Sequence, residues 1–300
     1  MASPESDNSN RSDVHHRAEA LAGGLPALLV AAERVASTVS QGVHGRRRVG
    51  QGETFWQFRR YEYGDSIQTI DWRQSARSEP VYVREMEWEA AQSIWLWRDG
   101  SPSMGFQSSR DLKPKSDRAD LLMLALASLL VRGGERVALL GTGTFPTSGR
   151  SVLQRMCSMI EAGQVPTSSL PENDVLPRYA RVVWFGDFLS PLEDVKNAVS
   201  AYADHGVRGH LVQIFDPAES LLPYDGRVLF GAMEADDRDV LVRHTGSVRD
   251  DYRAAFIAHQ AGLRDICASS GWSFIDHRTD HAPEPVLLSL YLHFSETGAR

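Results

Sequence analysis

Three oxygen-bearing side chains, Asp99, Ser101 and Ser103, follow one apolar segment at alternate positions. The segment, residues 93–97, is rich in β-branched and aromatic residues, which is typical of a buried β-strand. Ligands of open α/β sheets bind outside the carboxyl ends of strands, and Mg²⁺ and Mn²⁺ prefer carboxylate and hydroxyl oxygens. The spacing therefore predicts a divalent-cation site after this strand. The alternative is a polar turn in which these side chains only satisfy backbone groups.

A second acid, Asp187, ends the apolar segment 181–186. The motif Ser190-x-x-Glu193 then predicts a capping box and a helix that ends at about residue 204. Because strands and helices alternate along the chain, we expect parallel strands whose carboxyl ends meet at one sheet edge. Asp187 should then lie beside Asp99 as a second acidic ligand. The alternative for Asp187 is a helix cap.

Hydrophobic periodicity predicts the remaining elements of an α/β fold. Helices are predicted at 26–42, 118–132, 151–162, 248–269 and 286–294, strands at 136–140, 207–215 and 272–276, and a short antiparallel pair at 226–231 and 240–244. The helix at 118–132 is expected to be capped by Ser116 and Asp117. We predict a disordered tail over 1–16, an N-terminal helix and loop-rich layer over 17–92, and the α/β domain over 93–295.

Composition excludes several classes of protein. The 300 residues are 42% hydrophobic with a net charge of −7, which allows a sizeable core and argues against broad nucleic-acid binding. An uninterrupted apolar run of about 18 residues, which a membrane span needs, is absent, as is the apolar core of a signal peptide. The two cysteines, Cys157 and Cys267, support neither a disulfide framework nor a zinc site. We therefore expect a cytoplasmic protein.

Residues 45–77 are dense in glycine, arginine and aromatic side chains, and we expect the aromatic ones, Trp72 among them, to anchor a compact layer. This region carries a longer pattern: Gly50-x-Gly52-Glu53-x-Phe55, Arg59-x-Tyr61-x-x-Gly64-Asp65, Ile70-Asp71-Trp72-x-x-Ser75-Ala76-Arg77 and Val83-Arg84-Glu85. Together with Asp-x-Ser-x-Ser, it resembles the bacterial family called domain of unknown function 58. The resemblance covers most of residues 42–295, and the chain looks like the soluble form without N-terminal membrane helices.

The resemblance implies a von Willebrand factor A-like fold, which is a Rossmann-like, mostly parallel sheet flanked by helices. The Asp-x-Ser-x-Ser stretch is similar to the metal-ion-dependent adhesion site (MIDAS) of such domains, which implies Mg²⁺ or Mn²⁺ on Asp99, Ser101, Ser103 and Asp187. It further implies a non-catalytic protein-interaction module in which a partner's carboxylate completes the metal shell. The implied partner is a MoxR-type AAA+ ATPase that assembles or matures protein complexes.

The family pattern also supplies a threonine ligand from a loop between the two acids. The interval 141–149 holds three threonines, and we predict Thr147 because the family's ligand usually lies in the loop next to the helix. Thr142 and Thr144 are the alternatives, since both follow the predicted strand 136–140 directly.

A hydrolase is the alternative function. Residues 101–105 lie one substitution from the Gly-x-Ser-x-Gly nucleophile elbow, with Ser103 as nucleophile and Asp187 and either His277 or His281 as its downstream partners. Such an elbow needs a helix directly after the serine. Here a polar segment delays the helix, and no His-Gly-Gly oxyanion loop is present. An Asp-x-Asp phosphotransferase is disfavoured because Ser101 stands where the second acid would be. We therefore predict that the protein is not an enzyme.

Overall fold

The computed structural model describes residues 26–43, 54–61, 70–77, 80–87, 92–234 and 238–297. The tail 1–16, which the sequence predicts to be disordered, lies outside these ranges. The same holds for a large part of the glycine- and arginine-rich region, including Gly50, Gly52, Gly64 and Asp65.

A parallel sheet of five strands forms the centre of the fold. Its strands are β3 (Ser93–Arg98), β4 (Arg136–Leu139), β5 (Arg181–Gly186), β6 (Arg208–Phe215) and β9 (Ser273–Arg278), in the spatial order β4-β3-β5-β6-β9. The predicted α/β class, with a parallel sheet flanked by helices, is confirmed.

Both faces of this sheet are covered, which explains why its strands read as continuous apolar runs. In β3, Ile94 and Leu96 face one core, and Trp95 and Trp97 face the other. The helices that cover the first core are α1 (Ala27–Val43), α3 (Lys115–Arg132), α4 (Arg150–Glu161) and α8 (Glu284–Thr297). Those that cover the second core are α5 (Leu192–Ala203) and α7 (Thr245–Ser269).

The N-terminal helix α1 packs along α3. Its buried side chains, Leu29, Ala32, Ala36 and Val39, follow the predicted 3.6-residue stripe. Two of them are alanines with no exposed surface, so the backbones of the two helices approach closely. The predicted amphipathic helix is confirmed.

Two predicted helix caps are wrong. Helix α3 begins at Lys115 after Pro114, and neither Ser116 nor Asp117 is its N-cap. Helix α5 begins after Pro191 without a side-chain cap, because the Ser190 hydroxyl contacts the Ser169 hydroxyl at 3.2 Å instead. The short helix α6 (Pro217–Leu221) was not predicted, although Asp216 and Glu219 form a capping box at its start.

A smaller layer consists of β1 (Thr54–Arg60) paired antiparallel with β2 (Tyr82–Glu87), and the helical turn α2 (Trp72–Ser75). Asp71 caps this turn by accepting a hydrogen bond from the Gln74 N–H at 2.9 Å. The Trp72 residue is 63% exposed, so the prediction that it anchors the layer is wrong. A second antiparallel pair, β7 (Val228–Phe230) with β8 (Val240–Val242), is present as predicted.

Both cysteines, Cys157 and Cys267, are buried and unbridged in this fold. Within the residues that the structure describes, no helix is both long and apolar enough to cross a membrane.

His210 on β6 is buried in an environment that opposes protonation. Its Nδ1 lies 2.6 Å from the Ser273 hydroxyl, and its ring packs 4.7 Å from that of Phe294. Burial, then the neighbouring His293 and Arg181, lower the pKa of His210 to about 3. The unfolded chain therefore binds a proton at His210 below about pH 6.5 that the folded chain refuses.

We expect this histidine to make the protein less stable in mild acid. The contribution of His210 should make the free energy of unfolding about 2 kcal/mol lower at pH 5 than at pH 7. In His210→Gln this part of the pH dependence should be absent. Urea denaturation at both pH values measures the difference. His205→Gln, at an exposed position, is the control. An unchanged pH dependence in His210→Gln would contradict the assignment.

Candidate functional site

The candidate site lies between β3 and β5, where the order of the strands reverses. The chain passes from β3 to β4 on one side, and then returns to β5 on the other side of β3. Such a switch point opens a crevice at the carboxyl ends of the strands, where ligands of open α/β folds bind. Asp99 directly follows β3, and its N–H donates to the Phe185 carbonyl on β5 at 2.8 Å. Asp187 directly follows β5.

Four of the predicted site residues meet in a chain of short contacts. Asp99 Oδ1 accepts hydrogen bonds from the Ser101 N–H at 2.8 Å and the Ser101 hydroxyl at 2.5 Å. The hydroxyls of Ser101 and Ser103 lie 3.0 Å apart, and Ser103 Oγ donates to Asp187 Oδ2 at 2.6 Å. Each serine has one hydroxyl hydrogen. Two hydrogens therefore serve three contacts between oxygen atoms.

The other carboxylate oxygen of Asp99 has no hydrogen-bond partner in the described part of the chain, although Asp99 is fully buried. Burial, then the charge of Asp187, raise the pKa of Asp99 to about 7, against the lowering effects of Ser101 and Lys115. Gly186 makes room for this carboxylate, because a Cβ there would lie 2.8 Å from Asp99 Cβ and 3.0 Å from Oδ2.

Lys115 and Glu219 complete the cluster, and the sequence analysis missed both. The Lys115 ammonium contacts Asp187 Oδ2 at 2.8 Å and Glu219 Oε1 at 2.5 Å, and the lysine has no exposed surface. Burial lowers the pKa of Lys115, but Asp187 and Glu219 outweigh this and raise it above its usual value. No local signal marked Lys115, because the caps expected at Ser116 and Asp117 placed it outside the helix predicted at 118–132.

A cavity of about 680 Å³ opens beside these groups. At its edge, the Ser103 N–H donates to Glu234 Oε1 at 3.0 Å. Glu234 follows the β7 strand, so a carboxylate of the same chain already lies against the serine turn. The walls are largely apolar and include Leu189, Leu222, Tyr224, Phe230, Met233 and Tyr252.

The structure does not bring Thr147 to this cluster. The backbone of Thr147 pairs with Val137 of β4, which lies opposite Ile94 of β3. That position is about 16 Å before Asp99 along the strand direction. The hydroxyls of Thr142 and Thr144 instead donate hydrogen bonds to the Leu139 carbonyl, at 2.8 Å and 3.3 Å. The backbone of the interval 141–149 pairs with β4 and forms a turn, and none of its three threonines has a hydrogen bond to the described residues of the cluster.

A different loop, residues 164–170, approaches the site. The Ser168 carbonyl accepts a hydrogen bond from the Gly100 N–H at 3.1 Å, and Ser169 lines the cavity together with Ser103 and Asp187. This loop follows α4, so it lies outside the interval in which the sequence analysis sought a hydroxyl ligand.

Of the proposed hydrolase partners, Asp187 contacts Ser103 directly, whereas a catalytic triad places a histidine between the serine and the acid. The Ser103 hydroxyl donates to Asp187. His277 lies on β9, which β5 and β6 separate from β3, so the two strands are about 14 Å apart. The catalytic alternative stays a prediction without a geometric observation in its favour.

The oxygens that could hold a cation are those of Asp99, Ser101, Ser103 and Asp187. Across the described ranges, no three His, Cys, Asp or Glu side chains gather as a metal-binding group. A cation here would therefore depend on the two serine hydroxyls as well as the two acids. The carboxylates of Asp99, Asp187 and Glu219, of which the first two are buried and the third is half-buried, outnumber the single ammonium of Lys115, so the cluster carries excess negative charge when all are ionised.

Comparison with known proteins identifies relatives over most of the chain. An uncharacterized protein of Mycobacterium bovis is 27% identical over 278 residues, which cover 87% of this chain and 85% of that protein. Uncharacterized proteins from two strains of Mycobacterium tuberculosis match with the same identity and coverage. Among solved structures, the conserved hypothetical protein BatB from Bacteroides thetaiotaomicron aligns with a TM-score of 0.37 and 10% identity, over 70% of this chain and 100% of that one.

Residues 57–262 match the family described as protein of unknown function DUF58. The matched range spans more than half of the chain and includes all four clustered residues of the two strand ends. It also includes Lys115, Glu219 and Glu234. The protein belongs to the DUF58 family.

Proposed function

We propose that the protein is a non-catalytic interaction module of the von Willebrand factor A-like type, which binds a partner's carboxylate through a divalent cation. The observation that carries this proposal is the contact between Glu234 and the Ser103 N–H. A carboxylate of the protein itself lies beside the hydroxyl and carboxylate oxygens that would hold the cation. The crevice therefore has room for the acidic group of a partner.

The cation in this proposal is Mg²⁺, with Mn²⁺ as the alternative. Asp99, Ser101, Ser103 and Asp187 would hold it, because hard oxygens suit both ions. Three features support a fit: the unpartnered Asp99 Oδ2, the shortage of hydrogens in the serine chain, and the excess negative charge of the cluster. When bound, the cation would supply a positive charge that attracts a carboxylate.

The partner in this proposal is a MoxR-type AAA+ ATPase, which this protein would assist in assembling or maturing other complexes in the cytoplasm. Largely apolar side chains, Met233 among them, line the cavity beside the position of the Glu234 carboxylate. We therefore propose that the ATPase offers an acidic side chain flanked by apolar residues. Glu234 would have to leave when that segment binds.

The test uses the purified, nucleotide-free MoxR-type ATPase encoded in the same genome, titrated against this protein in Mg²⁺ or EDTA. We expect binding only with Mg²⁺, and at least a tenfold loss of affinity, about 1.4 kcal/mol, in Asp99→Ala. Glu234→Gln should bind severalfold more tightly, because the internal carboxylate no longer competes.

The control for these charge changes is Asp204→Asn. Asp204 is exposed at the end of α5. This 12-residue helix is about 18 Å long, so Asp204 lies far from the sheet edge that carries the site. Equal affinities in Mg²⁺ and EDTA, or in wild type and Asp99→Ala, would contradict the metal-dependent proposal. Weaker binding by Glu234→Gln would contradict the competing role of Glu234.

A further inference from the structure

Lys115 is placed where a lysine is costly. It is the first residue of α3, where the exposed N–H groups of the helix repel a positive charge. It is also fully buried, and a buried ammonium is strongly destabilising without a counter-charge. The two carboxylates that meet it therefore account for its position.

The ammonium engages an oxygen that the proposed cation also needs. Asp187 Oδ2 accepts from Lys115 Nζ at 2.8 Å and from Ser103 Oγ at 2.6 Å. The second oxygen, Oδ1, accepts from the Leu189 N–H at 3.2 Å. Both oxygens of Asp187 are thus engaged, whereas Oδ2 of Asp99 has no hydrogen-bond partner among the residues that the structure describes. A cation that binds Asp187 Oδ2 must therefore displace the Lys115 ammonium from this oxygen.

Glu219 provides a place for the ammonium to remain. Its Oε1 contacts Lys115 Nζ at 2.5 Å, and its Oε2 accepts from the Asp216 N–H at 2.7 Å. The capping box of α6 therefore fixes the Glu219 side chain. Lys115 can release Asp187 while it keeps one charged partner, which avoids an isolated buried charge.

We infer that Lys115 is a tethered cation that competes with Mg²⁺ for Asp187 and so sets the metal affinity of the site. This inference rests on the proposed metal site. In the metal-free protein, the carboxylates of Asp187 and Glu219 share the single Lys115 ammonium. When Mg²⁺ binds, Lys115 withdraws to Glu219 alone. The cost of separating Lys115 from Asp187 is subtracted from the binding free energy of the metal.

Isothermal calorimetry with MgCl₂ tests the competition. Lys115→Met should bind Mg²⁺ at least tenfold more tightly than wild type. Because this variant leaves two carboxylates without their cation, it is paired with Lys115→Met/Glu219→Gln. That double variant keeps the formal charge of the wild-type cluster, so a tenfold gain in it reports the release of Asp187 rather than added negative charge.

Thermal unfolding gives a second readout that does not depend on binding heats. Mg²⁺ should raise the melting temperature of both Lys115 variants more than that of wild type, because tighter binding stabilises the folded state more. Lys196→Met is the matched control, since Lys196 is 59% exposed in its side chain and pairs only with Glu193, at 3.9 Å, in the described chain. Its Mg²⁺ affinity should equal that of wild type.

The outcomes separate this inference from the proposed function. Wild-type binding that Asp99→Ala abolishes, with no gain in either Lys115 variant, would overturn the competition and leave the metal site standing. Binding in the Lys115 variants but not in wild type would support the competition and overturn a Mg²⁺-dependent function of the natural protein. Folded variants that bind no Mg²⁺ would overturn both.

Discussion

Replacing Asp187 with alanine is expected to lower the free energy of unfolding by about 3 kcal/mol, because the buried Lys115 ammonium keeps only one of its two carboxylate partners, Glu219. The Lys115 side chain has no exposed surface, and that of Asp187 is 3% exposed, so solvent cannot replace the lost contact. The Ser103 hydroxyl and the Leu189 N–H also lose their acceptors. Urea denaturation in EDTA measures the effect without a contribution from bound metal.

A double-mutant cycle assigns this loss to the ion pair. In Asp187→Ala/Lys115→Met the ammonium that lost one of its two partners is itself absent, so the double variant should be more stable than the sum of the single losses predicts, by about 1–3 kcal/mol. Asp204→Ala, at an exposed acid, should change stability by less than about 0.5 kcal/mol. Additive single effects would show that Lys115 and Asp187 do not stabilise each other.

Gly100→Ala is expected to disturb both stability and the site. An added Cβ would lie 2.0 Å from the Pro166 carbonyl oxygen and 2.8 Å from Thr167 Cα. Both are backbone atoms, so the loop 164–170 must move as a unit, at a cost of about 3 kcal/mol. The same movement would break the bond between the Gly100 N–H and the Ser168 carbonyl and shift Ser169 in the cavity wall.

The matched control is Gly105→Ala, five residues later. A Cβ at Gly105 meets no atom within 4 Å. Chemical denaturation should place this variant within about 1 kcal/mol of wild type, because the substitution mainly restricts the unfolded chain. If Gly100→Ala were equally stable, the packing of Pro166 against Gly100 would not constrain the loop.

The sequence alone determined the parts of this protein that depend on local patterns. The segments that became β3 and β5 are continuous apolar runs, so burial on both faces and a parallel sheet could be predicted from them. The position of Asp99 and Asp187 at one sheet edge followed, since parallel strands place their carboxyl ends at the same edge of the sheet. The apolar stripe of α1 could also be predicted, because its period of 3.6 residues is a property of the sequence itself.

Only the tertiary structure decided which distant groups meet. Lys115 and Glu219 lie 104 positions apart, and no local pattern specifies that α6 brings its capping glutamate to the start of α3. Thr147 was assigned from its place beside a helix, but its backbone is used to pair with β4.

Long-range contacts also explain why α3 begins at Lys115 and not at the predicted residue 118. Ser116 and Asp117 are good capping residues, but the helix already begins at Lys115, whose ammonium lies against Asp187 and Glu219. A good N-cap residue stabilises a helix by about 1 kcal/mol. Breaking a buried ion pair costs several times more, so the ion pair of Lys115 outweighs the capping preference. Hydrophobic pattern thus determined where the strands and their acids lie, and long-range charge pairing determined which side chains share the site.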